Sequence, residues 1–172
     1  DLDDAVRGAP ERTAFVGRNS ALGREIRLTY AELGERVDKI AAGLVELGVG
    51  KGDVVAFQLP NWWEFTALFY ACNRVGAVAN PLMPIFRQRE LRFMMRFAEA
   101  KVAVVPALWR GFDHIAMMRE IRPDLPQLRH VFAVGGAGDE SFERAFLDHP
   151  SPSEAERRQL ALLRPEPDEV VE

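Results

Sequence analysis

Apolar residues recur along the chain in two patterns, helical spacing and short continuous runs, and each pattern predicts a different element. The first helical pattern follows Thr29 and Glu32, whose spacing matches a capping box, and Gly48 supplies a left-handed end. The apolar face of this helix consists of Leu33, Val37, Ile40, Ala41, Leu44 and Leu47. Residues 54–59 form an apolar run that is too short for a helix and rich in strand formers, which predicts a buried strand.

The alternation of helices and strands continues to residue 134. Asn61 and Glu64 indicate the start of a second helix, which Gly76 closes. The apolar face of this second helix consists of Phe65, Leu68, Phe69, Cys72 and Val75. A third helix has the apolar face Leu91, Met94, Met95 and Ala98, and a fourth is predicted over 113–121. Further strands are predicted over 77–80, 101–105 and 130–134. Strands joined through helices form right-handed crossovers, so the predicted fold class is α/β, with a mostly parallel sheet and helices on both faces.

The remaining residues differ in composition. Residues 135–152 are acidic, rich in Gly and poor in apolar anchors, which predicts a mobile connection. A short helix is predicted from Ser153 through Leu163, and residues 169–172 resemble the start of a strand. We therefore expect an α/β subdomain over 1–134, a connection over 135–152, and a helix with the start of a strand over 153–172.

Composition narrows the classes of function. The 172 residues carry 22 Lys and Arg against 26 Asp and Glu, a net charge of −4, which disfavours nucleic acid as a partner. The single cysteine, Cys72, excludes an internal disulfide and a Cys-rich zinc site. Polar residues interrupt the longest apolar region, 54–72, so no membrane span is predicted, and the first residues lack the features of a secretion signal. A cytoplasmic protein is expected.

Short motifs alone do not identify a reaction. The glycines at 48–52 follow a helix and open a strand, the reverse of a phosphate-binding loop, and those at 135–138 lack dinucleotide-binding spacing. His114, His130 and His149 fit no metal-ligand spacing and are interpreted as structural or surface residues. These motifs assemble no set of nucleophile, base and oxyanion donors.

One helix carries the local concentration of positive charge on this acidic chain. Its basic residues are Arg87, Arg89, Arg92 and Arg96. Two interpretations stay open, a solvated helix face or a set of side chains that helps to hold an anionic ligand. Guanidinium groups form bidentate, charge-assisted bonds with anions such as phosphate, which is the chemical basis of the second interpretation.

Several segments, in order and at similar spacing, resemble the amino-terminal part of the adenylate-forming superfamily, which contains acyl-CoA synthetases, luciferases and peptide-synthetase adenylation domains. They are residues 28–33, 48–55, 59–61, 70–78, 80–81, 89–91 and 98–102. Residues 167–172 resemble a later segment of the same superfamily, so the resemblance extends over nearly the whole chain. Within the superfamily, residues 80–91 are similar to ligases of short- and medium-chain fatty acids or of alicyclic acids, such as cyclohexanecarboxylate–CoA ligase.

The resemblance implies an intact enzyme that uses ATP, Mg²⁺ and CoA to convert a carboxylic acid into acyl-AMP and then into a CoA thioester. The superfamily's phosphate loop follows a segment like 167–172, which implies that this chain is an amino-terminal fragment and that the catalytic residues lie beyond residue 172. Such a fragment is expected to be inactive and to self-associate through exposed apolar surface.

The resemblance also gives the basic residues a role. In some members a basic residue that follows the Asn-Pro motif assists CoA binding, which implies that Arg87, Arg89 and Arg92 dock the CoA phosphates. The alternative for the chain as a whole is a stand-alone α/β binding or interaction module without ligase activity.

Overall fold

A computed structural model describes residues 2–19, 23–148 and 150–165. The helices, in chain order, are α1 (Leu2–Gly8), α2 (Tyr30–Glu46), α3 (Trp63–Val75), α4 (Gln88–Phe97), α5 (His114–Ile121) and α6 (Glu154–Leu162). The strands are β1 (Thr13–Asn19), β2 (Arg24–Thr29), β3 (Val54–Phe57), β4 (Val78–Pro81), β5 (Val102–Pro106), β6 (Leu108–Trp109), β7 (Phe112–Asp113) and β8 (His130–Val134). Single helical turns lie at Arg122–Asp124, Gly138–Glu140 and Glu143–Leu147.

Four strands form a parallel sheet in the order β4–β3–β5–β8. In this sheet Val55 lies beside both Ala79 and Val102, and Val104 lies beside Phe132. The connection through α3 runs from β3 to one side, and the connection through α4 returns past β3 to β5, so right-handed crossovers place these helices on opposite faces. The predicted α/β fold, with a parallel sheet covered on both faces, is confirmed.

Alternate residues of the central strands enter two separate apolar cores. Phe57 and Val104 belong to the core that also contains residues of α2 and α3, whereas Ala56 and Ala103 belong to the core that contains residues of α4 and α5. Because both faces of the sheet are buried, the strands are continuous apolar runs without polar alternation.

An antiparallel hairpin of β1 and β2 precedes the parallel sheet, and it is not predicted from the sequence. The strand signal is present in β2, where Glu25 and Arg27 are exposed while Ile26 and Leu28 are partly or fully buried. The helix α1 is likewise not predicted from the sequence, and it buries Leu2. The parallel sheet is therefore only the central part of the described fold.

Local capping signals place most helix ends correctly. The Thr29 hydroxyl accepts the Glu32 amide at 3.2 Å and the Glu32 carboxylate accepts the Thr29 amide at 2.8 Å, which confirms the capping box of α2. Ser153 and Glu156 form the corresponding box of α6. Gly76 ends α3 with φ of 71°, the left-handed conformation that favours glycine.

The expected cap of α3 is wrong. Trp62, and not Asn61, is the N-cap residue, and it makes no side-chain capping bond. The Trp62 amide donates to the Pro60 carbonyl at 2.6 Å, so a tight turn carries the chain one residue further before the helix begins. Glu64 is then the second residue of α3 instead of the third, which removes the capping-box spacing.

The expectation of few apolar anchors in 135–152 also needs correction. Phe142 and Phe146 are fully buried, and the ring centroid of Phe146 lies 5.0 Å from that of Phe132 in β8. A Cβ atom at Gly43 of α2 would lie 2.7 Å from the Phe146 ring, so the glycine allows this close approach. The mobility of this segment and the expected domain boundaries stay predictions, and residues 149 and 169–172 lie outside the described residues.

We expect Phe146→Ala in the 172-residue chain to lower the free energy of unfolding by about 3 kcal/mol or more, because it leaves a cavity between α2 and β8. Phe97→Ala is the matched control, because Phe97 is 83% exposed, and its effect should stay within about 0.5 kcal/mol. Urea denaturation measures both values. Equal losses in the two variants would contradict the anchoring role of Phe146.

Candidate functional site

The strand order directs attention to the carboxyl edge of the sheet. The chain passes from β3 to β4 on one side and then to β5 and β8 on the other, so the strand order reverses between β3 and β5. In open parallel sheets, ligands bind in the crevice outside the carboxyl ends of strands at such a reversal. Four segments meet this edge, namely 58–62, 82–87, 107–113 and 135–143.

Gln58, the first residue after β3, has a fully buried side chain at this edge. Its Nε2 atom donates to the Met83 carbonyl at 2.9 Å and to the Phe86 carbonyl at 3.0 Å. Its Oε1 atom lies 3.1 Å from Nδ1 of His114. The amide therefore connects the end of β3 to the loop after β4 and to the first turn of α5.

The hydrogen-bond pattern assigns the tautomer of His114. Both hydrogens of Gln58 Nε2 are donated to carbonyls, so Oε1 is an acceptor and His114 Nδ1 carries the hydrogen. Nε2 of His114 is then a lone-pair acceptor, and within the described part of the chain it has no hydrogen-bond partner. Burial, helped by the positive charge of Arg87, lowers the pKa of His114 to about 4, so the ring is neutral at pH 7.

Arg87 closes the loop that Gln58 binds. Its Nη1 atom donates to the carbonyls of Pro84 at 2.9 Å and of Phe86 at 2.8 Å. The guanidinium carbon lies 4.0 Å from the ring centroid of Phe112, and that ring meets His114 edge to face at 5.0 Å. Arg87 thus contacts the loop and Phe112 of β7, and it lies before the first residue of α4.

The other two predicted phosphate ligands lie on α4 itself. Arg89 is exposed, and Arg92, three residues later on the same helix, is 39% exposed and pairs with Asp124 at 2.7 Å. The structure therefore brings Arg89 and Arg92 together on one helix, while Arg87 is directed elsewhere by its loop contacts. Arg96 is also exposed on α4.

A buried carboxyl group lies at the start of α3, beside the same edge. Glu64 is 4% exposed, and its Oε2 atom has no hydrogen-bond partner among the described residues. Burial raises the pKa of Glu64 to about 7; the negative charge of Glu143 adds to the increase, and the positive charge of Arg36 opposes it. The Arg36 guanidinium lies 4.7 Å above the Trp63 ring. Glu64 can therefore exchange a proton near neutral pH.

Apart from the carboxyl edge, a concave region lies where α1, α3 and the residues after α6 meet, and it has a volume of about 430 Å³. Arg74 in its wall pairs with Asp3 and with Asp38, each at 2.6 Å. Arg157 pairs with Asp38, and Arg164 pairs with Asp3. Each of these charges is paired with a charge of opposite sign, so we interpret the network as a connection between helices and assign it no ligand.

The described residues offer few other reactive groups. Within 2–19, 23–148 and 150–165, no group of three or more His, Cys, Asp or Glu side chains is arranged to hold a metal ion. Burial raises the pKa of the Cys72 thiol to about 12, so it is not a nucleophile at pH 7. His130 begins β8 at the opposite edge from His114, and His149 lies outside the described residues. No described helix has the length and apolar composition needed to cross a membrane.

Sequence reasoning predicts the arginine cluster but does not single out Gln58 or Glu64, and it interprets His114 as structural or on the surface. A signal for Gln58 exists, because it is the polar residue inside the apolar run 54–59 and a buried amide requires partners. Glu64 precedes the buried Leu68 by four residues, which places it in the apolar stripe of α3. The partners themselves are 25 to 56 residues away from Gln58 and leave no local signal.

Comparison with known proteins supplies the context. A family model described as "AMP-binding enzyme" matches residues 2–171. The 2-hydroxy-7-methoxy-5-methyl-1-naphthoate–CoA ligase of Streptomyces carzinostaticus is 37% identical over 134 residues, which cover 78% of this chain and 23% of that protein. The medium-chain fatty-acid–CoA ligase of Escherichia coli K12 is 32% identical over 129 residues, which cover 75% of this chain and 22% of that protein.

A solved structure is similar as well. The long-chain-fatty-acid–CoA ligase FadD1 from Archaeoglobus fulgidus superimposes with a TM-score of 0.73 at 25% identity, over 84% of this chain and 28% of that one. The chain therefore spans about a quarter of the length of these relatives.

The raised pKa of Glu64 predicts a pH-dependent effect of Glu64→Gln on the 172-residue chain. The native carboxyl keeps its proton up to about pH 7, while the unfolded one loses it near its ordinary value of 4.5, so native stability falls as pH rises between these values. The variant lacks this loss. We expect it to match the native chain near pH 4 and to be more stable by about 2–3 kcal/mol at pH 8.

Urea denaturation at a series of pH values measures the difference between the two chains. Glu46→Gln, on the exposed side of α2, is the matched control and should show no such trend. A difference between Glu64→Gln and the native chain that does not change from pH 4 to pH 8 would show that folding does not raise the pKa of Glu64.

Proposed function

The chain belongs to the family of AMP-binding enzymes, and we propose that it forms the amino-terminal part of an ATP-dependent acid–CoA ligase. The relatives named above as CoA ligases support this proposal, as does the ordered set of motifs over 28–102. In the proposed reaction a carboxylate attacks the α-phosphate of ATP and releases pyrophosphate. The CoA thiol then attacks the carbonyl of the acyl-AMP, AMP leaves, and the thioester forms. ATP, CoA and Mg²⁺ are the proposed cofactors of the complete enzyme.

The proposed substrate is a fatty or alicyclic carboxylic acid. The similarity of residues 80–91 to ligases of such acids supports this choice, and so does the fatty-acid ligase of E. coli among the relatives. The aryl-acid ligase of S. carzinostaticus is 37% identical over its matched region, against 32% for the E. coli ligase, so aryl acids form the competing substrate class. We propose the cytoplasm as the location of the reaction.

We also propose that residues 1–172 alone do not activate acids, because charge stabilisation of a transferring phosphoryl group requires convergent cationic groups and metal. Among the described residues, the arginine cluster is the one set of cationic side chains to which we assign a ligand. The isolated chain is proposed to self-associate, since β4 is an edge strand of the parallel sheet and Met83 and Ile85 beyond it are more than half exposed.

The complete gene product tests the proposed function. We expect acid-dependent exchange between ATP and pyrophosphate in the absence of CoA, and thioester formation once CoA is added. A panel of medium-chain, alicyclic and aryl acids distinguishes the substrate classes, and the 172-residue chain is the control that should show no exchange. A complete gene product that is folded but inactive with every acid would favour the stand-alone module.

We further propose that Arg87, Arg89 and Arg92 help to dock the phosphates of CoA. The exposure of Arg89 and the partial exposure of Arg92 on one helix support this role. To bind a phosphate, Arg92 must either contact Asp124 and the phosphate together or give up its ion pair with Asp124. Nη1 of Arg87 already donates to two carbonyls. We therefore expect Arg89 to contribute most, and each contact to contribute about 1 kcal/mol or less because the site is open to water.

Replacement of the three arginines by Gln in the complete gene product should raise the KM for CoA several-fold and leave acid-dependent ATP–pyrophosphate exchange unchanged. Single variants should rank Arg89→Gln above the other two. Arg158→Gln on α6 is the matched control, because Arg158 is an exposed helical arginine in the opposite helical layer. An unchanged KM for CoA would eliminate the role, and loss of exchange would indicate that the arginines act on the fold.

A further inference from the structure

Three segments that are far apart in the sequence meet at the side chain of Gln58. They are the end of β3, the loop 82–87 and the first turn of α5. The Phe86 carbonyl accepts from both Gln58 Nε2 at 3.0 Å and Arg87 Nη1 at 2.8 Å, so a single oxygen atom couples the buried amide to the arginine. His114 Nδ1 completes the hydrogen bonds of the amide.

We propose that Gln58 and His114 are a positioning pair, which fixes the loop 82–87 and through it the direction in which α4 presents its basic residues to CoA. This inference rests on the proposed role of the arginines in CoA binding. Neither side chain is exposed, so the pair acts through the loop carbonyls and does not touch a ligand itself.

The loop needs this support because its apolar contacts are unevenly distributed. Leu82 is 3% exposed and enters the core beneath α4 and α5, whereas Met83 and Ile85 are 55% and 57% exposed. Phe86, at the end of the loop, is partly buried against the same core, so hydrophobic burial holds the two ends of the loop without fixing the orientation of its centre. The directional bonds from Gln58 reach the carbonyls of Met83 and Phe86, on either side of that centre.

His114 sets the orientation of the amide. Without the Nδ1 hydrogen, Oε1 of Gln58 becomes a buried acceptor that lacks a donor, which favours rotation of the amide or opening of the loop. The charged groups that act on His114 are Arg87 and Asp113. Because the ring is neutral at pH 7, the contact between Nδ1 and Oε1 is retained throughout the pH range of an ordinary assay.

The test compares His114→Leu with His114→Asn in the complete gene product. Leucine removes the hydrogen-bond donor but still fills the buried position with a side chain. The Nδ2 group of asparagine, in contrast, donates from nearly the position of Nδ1. We expect His114→Leu to raise the KM for CoA several-fold, to leave acid-dependent ATP–pyrophosphate exchange intact, and to speed hydrogen exchange in residues 82–90. His114→Asn should restore the native values of all three, and His130→Leu, at the opposite edge of the sheet, is the matched control.

The possible outcomes separate this inference from the proposed function. A native enzyme without acid-dependent exchange contradicts the proposed function, whereas an active enzyme in which His114→Leu has the native KM for CoA overturns the positioning pair. Unchanged hydrogen exchange in residues 82–90 overturns it as well. If His114→Leu and His114→Asn both lose the two half-reactions, His114 contributes to general stability, and this result would also overturn the inference.

Discussion

The hydrogen bonds of the buried Gln58 amide are the constraint on which the carboxyl edge of the sheet depends. Apolar burial decides which face of each strand meets which layer of helices, but it is not directional and does not orient the loops that follow the strands. Gln58 supplies that direction, because each of its amide atoms is used and none is exposed. A buried amide with a missing partner would destabilise the fold, so the loop after β4 and the start of α5 must be in place together.

The helical layer that contains α2 and α3 depends on a different interaction. Arg74 of α3 lies between Asp3 of α1 and Asp38 of α2, and Arg157 of α6 reaches the same Asp38. Half-buried charges are tolerated only when they are paired, so the four helices must adopt one mutual arrangement. This network therefore connects the amino-terminal helix to the last described helix without any contribution from the parallel sheet.

Much of this fold could be predicted because its signals are local. Capping boxes, left-handed glycines and continuous apolar runs operate over a few residues, and the sequence predicts the strand at His130–Val134 with the bounds that the structure shows. Asn61 illustrates the limit, since a turn at Pro60 moved the start of α3 by one residue. Phe142 and Phe146 illustrate another limit, because two aromatic residues in a polar segment form only a weak sequence pattern. In the folded chain, Phe146 packs against β8 and Gly43 and anchors the segment. The arginines could be placed on a helix from the sequence, whereas the pairing of Gln58 with His114 spans 56 residues and arises only in the folded chain.

The tautomer of His114 tests the central role of Gln58 most directly. Selective ¹⁵N labelling of histidine gives three side chains in this sequence, and their ring-nitrogen chemical shifts at pH 7 distinguish the two neutral forms and the charged form. We expect a neutral His114 with its hydrogen on Nδ1, and a change in this signal when Gln58 is replaced by Leu. A neutral ring with its hydrogen on Nε2 would contradict the hydrogen-bond arrangement of Gln58, because Nδ1 could then not donate to Oε1.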